Sequence, residues 1–138
     1  MTARGFEEPD TMCNTPLFLR ADPYQDDVLA LPVVDIDRAA AWYGPVFALS
    51  EVARRDAPVP GVIMARDGVQ IGFAVTGGDP EQDGAAIRVA DIARAHAELV
   101  ATGAKPGAIK TETRDGREER VFFVIAPDGL CYYFYQPI

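Results

Sequence analysis

One histidine and two cysteines are all the chain holds of the commonest nitrogen and sulfur ligands. Cys13 and Cys131 are too few for a disulfide framework. The lone histidine, His96, falls on the flank of an apolar helical stripe and reads as a helix-surface or boundary residue. No apolar run approaches the ~20 residues needed to span a bilayer, and no basic-then-apolar signal opens the chain. The opening "MTARGFEEPD" is acidic and broken by proline. A cytoplasmic protein with no membrane partner is expected. There is no Lys/Arg stripe to neutralise phosphates, and the formal charge of −8 points away from nucleic acid. Half of that charge sits in the first 27 residues, where six acids oppose Arg4 and Arg20 to leave −4. That stretch reads as a solvated acidic arm. Gly-rich phosphate loops, Ser-His-Asp sets and paired-carboxylate motifs are missing as well.

What remains is an ordinary globular composition, 49% hydrophobic and 25% charged over 138 residues. At about 150 residues per domain this predicts one compact domain. Residues 1–26 show no periodicity and are punctuated by Pro9, Pro16 and Pro23, so an irregular N-terminal arm is expected there. Within it only "PLFL" could dock on anything.

From residue 27 the chain writes one pattern twice. "VVDIDRAAAWY" at 33–43 and "VADIARAHAEL" at 89–99 both read V-x-D-I-x-R-A-x-A, at a spacing of fifty-six. Periods of ~20–50 residues usually mean solenoids, whereas two copies at a longer spacing fit a duplicated module. In each copy a short apolar run precedes an Asp suited to cap a helix, Asp35 and Asp91. Ile36, Ala39, Ala40 and Tyr43 share one helical face, as do Ile92, Ala95 and Leu99. Gly44-Pro45 is expected to stop the first helix, and Gly103 the second. Three strand candidates follow each helix: "ALSEVARR", "GVIMAR" and "VQIGFAV", then "AIKTETRD", "RVFFVIA" and "LCYYFYQ". "RDG" and "PDG" supply matching turns, and the Gly/Asp/Pro-rich 76–84 links the halves. The order is βαβββ twice, over about 27–76 and 84–138.

This doubled pattern, closing on "APDGLCYYFYQP", resembles the vicinal-oxygen-chelate superfamily of glyoxalase I, extradiol dioxygenases, and fosfomycin- and bleomycin-resistance proteins. The likeness covers roughly residues 27–138. It implies an α+β fold in which two tandem βαβββ modules form curved mixed sheets around a cavity. In metal-dependent relatives each half offers a His near the start of its first strand and a Glu on its last. The matching positions here are Val28, Gly72, Gly84 and Tyr133. None is a His, Glu, Asp or Cys, so no metal and no cofactor is expected, and the Lewis acid of the family's chemistry goes with them.

The resemblance also implies that these four positions face the cavity. Pleating sends Ala30, Pro32, Gln70, Ala74, Ala86, Arg88, Cys131 and Tyr135 the same way. Arg88, between Ile87 and Val89, needs a carboxylate, carbonyls or a ligand anion, whether from the other half, another subunit or a bound molecule. Tyr133 and Tyr135 suit either stacking on a planar ligand or filling an interface. Trp42, off the main apolar stripe, suits a subunit contact or ligand stacking. Met64 fits core or pocket wall, and Cys131, with no basic group nearby, an inert buried thiol ahead of a nucleophile. The candidate ligand-binding set is therefore Arg88, Tyr133, Tyr135, Gln70, Cys131, Met64 and Trp42.

The expected protein is a metal-free homodimer that binds a small organic molecule, such as an antibiotic or secondary metabolite. The alternative is a metal-independent isomerase, cyclase or lyase, with Arg88 steadying an oxyanion and a tyrosine as acid. A third reading fills the pocket with side chains and leaves an interaction partner only.

Overall fold

The computed structural model describes residues 16–23 and 27–138. Strand β1 (Phe18–Pro23) comes first. The first module then runs β2 (Leu31–Pro32), α1 (Ile36–Phe47), β3 (Ser50–Arg55), β4 (Gly61–Arg66) and β5 (Val69–Ala74). The second runs β6 (Asp83–Val89), α2 (Ile92–Ala101), β7 (Lys110–Arg114), β8 (Arg117–Ile125) and β9 (Cys131–Pro137). The fold is α+β, with one sheet ordered β2-β5-β4-β3 and the other β1-β6-β9-β8-β7. In both modules the opening strand lies parallel to the closing one, β2 to β5 and β6 to β9. The duplicated sequence is a duplicated topology.

The repeated Asp residues do the same work twice. Asp35 accepts from the backbone N–H groups of Asp37 and Arg38, and Asp91 from that of Arg94, each from extended backbone. Ile36, Ala39 and Tyr43 turn inward from α1, as Ile92, Ala95 and Leu99 do from α2. The helix-bearing faces of the two sheets join in one core. Phe47 carries it across the module boundary, its ring 5.2 Å from Tyr132 and 5.6 Å from Phe134. Each such buried ring contributes roughly 1.5–3 kcal/mol. Polar contacts bridge the modules too: the Arg66 guanidinium forks onto the Glu98 carboxylate and donates to the Phe47 carbonyl at 3.1 Å. With the helices packed on these joined faces, each sheet turns its other face outward.

Several expectations need correction. The stretch expected to be irregular contains β1, which pairs antiparallel with β6; residues 1–15 and 24–26, with Cys13, lie outside the described residues. Leu17 and Phe18 bury in the core, and β6 would otherwise leave its edge unpaired. The run 28–34 pairs as a strand only at Leu31–Pro32. Asp27 instead folds residues 28–30 into a turn: its carboxylate accepts from the Leu29 N–H and its carbonyl from the Ala30 N–H. Gly44-Pro45 does not stop α1. The helix continues to Phe47, because burial of Val46 and Phe47 outweighs the N–H that Pro45 lacks, and Ala48 ends it at φ 56°.

Candidate functional site

The site is built from the outward face of the five-stranded sheet. Strand alternation, in register across five strands, puts Arg20 and Asp22 of β1 beside Arg88 and Ala86 of β6. Ala86 pairs with Tyr133 and Arg88 with Tyr135 on β9. Phe123 and Val121 of β8 lie opposite these tyrosines, and Glu119 opposite Pro137. Glu112 and Arg114 of β7 close the row against Glu119 and Arg117. Ala86, Val121, Tyr133 and Tyr135 form a small apolar floor of their own, separate from the core.

Polar side chains stand around that floor. A cavity of about 590 Å³ is bounded by Arg20, Asp22, Arg88, Arg114, Arg117 and Glu119, with Tyr135 and Ala86 at its base. Its size suits a small organic molecule. Most of these charges are engaged with each other. Arg20 Nε meets Asp22 at 2.8 Å, and the Tyr135 hydroxyl approaches the same carboxylate at 3.5 Å. Arg114 Nε lies 3.4 Å from Glu119 and its guanidinium sits over the Tyr133 ring at 4.6 Å. The Tyr133 hydroxyl donates to Glu112 at 3.0 Å. Its pKa is pushed up to about 12, first by desolvation and then by that hydrogen bond. Tyr133 therefore keeps its proton at neutral pH.

Arg88 is the exception. Its Nε is buried with no hydrogen-bond partner, a costly position for a guanidinium.

The other candidates are scattered. Tyr133 and Tyr135 share the face, with ring centroids 6.2 Å apart, but Tyr133 is only 3% exposed and lies beneath Arg114. Cys131 is half-buried at the far end of β9, on the tyrosines' side of the strand. Met64 is in the core. Gln70 is exposed on the other sheet. Trp42 is half-buried and helps line a second cavity, of about 480 Å³, with Val34, Asp35, Arg38, Tyr43 and Asp128. Burial pushes the Asp128 carboxyl there above its ordinary value. That cavity shares no lining residue with the first. His96 sits at a boundary as expected, with Nε2 2.9 Å from the Gly107 carbonyl.

Arg20, Asp22, Arg114, Arg117, Glu112 and Glu119 were missed by sequence reasoning. The first two lay in the presumed arm, although "LFLRAD" offers an apolar run followed by strand-like alternation. The others lay in a hairpin whose charged residues resemble an ordinary solvated face. Its Asp115-Gly116 turn, with φ 52° and 76°, was the readable signal, because it sets Arg114 opposite Arg117.

The four positions that the resemblance matches to metal ligands, Val28, Gly72, Gly84 and Tyr133, carry no His, Glu, Asp or Cys side chain. A Cβ on Gly72 would lie 2.2 Å from the Leu29 carbonyl oxygen, so no ligating side chain has room. Gly84 does not face the cavity as expected. A bulge between Asp83 and Ala85 aims its Cβ position at Tyr132, in the core. Tyr133 is a protonated donor, and Val28 has no ligating side chain. Among the described residues, no group of three or more His, Cys, Asp or Glu is placed to hold a metal ion.

Solved structures share this architecture. TnmS3, an antibiotic binding protein from Streptomyces sp. CB03234, superposes with a TM-score of 0.64 at 18% identity, covering 83% of this chain and 98% of that one. A glyoxalase/bleomycin resistance protein/dioxygenase from Alicyclobacillus acidocaldarius gives 0.63 at 15% identity, over 85% and 94%. TioX from Micromonospora sp. ML1 gives 0.60 at 19% identity, over 81% and 95%. The chain shares their fold. No protein-family model matches the sequence, and no curated protein matches it. Among the described residues, no helix is long and apolar enough to cross a membrane.

Proposed function

We propose that the protein binds a small organic molecule, without a metal, on the outward face of the five-stranded sheet. The observation that carries this reading is Arg88, which lines a cavity of about 590 Å³ floored by Tyr135 and Ala86 and has a buried Nε with no hydrogen-bond partner. A buried guanidinium N–H without an acceptor is unfavourable unless something else supplies one. That TnmS3, on the same fold, is an antibiotic binding protein supports ligand capture as a use of this fold. Tyr133 already donates its proton to Glu112 beneath Arg114, so it is poorly placed to act as an acid on a ligand, which favours binding over catalysis.

A second copy of the chain completes the site. Phe123 and Ile125 flank the tyrosines on the same face, 40% and 66% exposed, and a partner would cover them. Closed two-fold pairing is the commonest soluble assembly. Native mass spectrometry of freshly purified protein tests both parts. The expected species is a dimer carrying a non-covalent small molecule that collisional activation releases. A bare monomer at tens of micromolar, from protein never exposed to denaturant, would remove the shared-site reading.

A further inference from the structure

The guanidinium groups around the cavity come in two cross-strand pairs. Arg20 on β1 is the register partner of Arg88 on β6, and Arg114 on β7 is the partner of Arg117 on β8. Like charges placed directly opposite on one sheet face are destabilising. Each pair holds one internal carboxylate, Asp22 on Arg20 and Glu119 on Arg114. The second member of each pair, Arg88 and Arg117, has no carboxylate among the described residues, and both border the same cavity. Four arginines and three acids line the cavity, and Glu112, engaged with Tyr133 on the same face, balances the count, so the cationic end of the site is Arg88 and Arg117 themselves. Two guanidinium groups without a carboxylate partner among the described residues favour an anion even in a chain of formal charge −8.

We infer that the ligand is an organic anion: a planar, largely apolar body on Tyr135 and Ala86, with a carboxylate or equivalent acid held by Arg88 and steered by Arg117. This rests on the open-face reading above and narrows it to one ligand class. Arg88 offers the planar donor fork that carboxylates accept in pairs, and neutralising it relieves the repulsion from Arg20. The N-terminal strand thereby joins the site, since β1 brings Arg20 and Asp22 to its rim.

The probes are three isosteres, 2-naphthoate, 2-naphthamide and 2-naphthylmethylamine, titrated into the intact protein by calorimetry. The expected result is that 2-naphthoate binds at least tenfold more tightly than the amide, with the amine weakest. Arg88→Met should weaken 2-naphthoate ten- to a hundredfold, Arg117→Met several-fold, and Arg38→Met, at the other cavity, not at all. Arg117 is exposed, so its variant keeps the test open if Arg88→Met does not fold. Equal affinity for the amide, or preference for the amine, overturns the anion inference and leaves the open-face reading in place. Failure of all three to bind at millimolar concentration overturns the inference outright. So does an Arg88→Met protein that loses its dimer but binds 2-naphthoate unchanged, since a carboxylate of the second copy would then be the partner.

Discussion

Tyr43 and Tyr132 meet where the modules join, one from α1 and one from β9. The Tyr132 hydroxyl donates to that of Tyr43 at 2.7 Å, and both side chains are essentially inaccessible. Desolvation, the leading cause, raises both pKa values well above the ordinary tyrosine range, so the pair is neutral. Tyr132→Phe strands a buried hydroxyl and should cost about 1–3 kcal/mol in urea unfolding. The double Phe variant should cost clearly less than the two single costs combined, because neither polar group is left behind. Strict additivity would show that the hydroxyl pair contributes nothing as a pair. Which tyrosines enter the core was readable in advance: alternation along 131–135 sends Tyr132 and Phe134 one way and Tyr133 and Tyr135 the other. Gly84 escaped the same rule, because a bulge has no signature in the alternation itself. Met64 and Trp42 were not separable in advance because an apolar side chain reads alike in a core and in a pocket wall.

At the scale of elements, β1 shows what local reasoning cannot reach. Its register comes from the edge of β6, and its start is pinned by a residue some fifty positions away. Asp67, in the β4–β5 turn, accepts from the backbone N–H groups of Leu17 and Phe18 at 2.9 and 3.0 Å. Asp67→Gly removes that acceptor while suiting the turn, since residue 67 has φ 54°. Amide exchange in 18–23 should accelerate at least tenfold, with β8 and β9 unchanged. Unaltered protection of β1 would show that pairing with β6 alone holds the strand. The end of α1 makes the same point from another side. Gly44-Pro45 is a stop signal by local chemistry, and burial of Phe47 overrides it. The two Asp-capped helix starts were readable because capping is settled within one turn.

In the whole molecule the duplication yields two unlike outward faces. On the four-stranded sheet, the backbone around Leu29 lies directly on Gly72, with a dimple of about 90 Å³ nearby. On the five-stranded sheet the matching region is open, and β1 adds charged side chains at its edge. The βαβββ order was visible in the sequence because each module's signals lie within it. The place of the cavity was not, because it depends on side chains from five strands that only the folded sheet aligns. The central claim is that small molecules bind this face rather than the cavity beside Trp42. Two-dimensional 1H–15N spectra, recorded while adding a mixture of planar aromatic fragments of differing charge, test it most directly. Trp42 is the only tryptophan, so its indole N–H reports on the second cavity alone. The account predicts saturable shifts clustered on the amides of Ala86, Arg88, Tyr133 and Tyr135, with the Trp42 indole signal unmoved. Shifts centred on Trp42, Val34 and Asp128, with the open face silent, would contradict it.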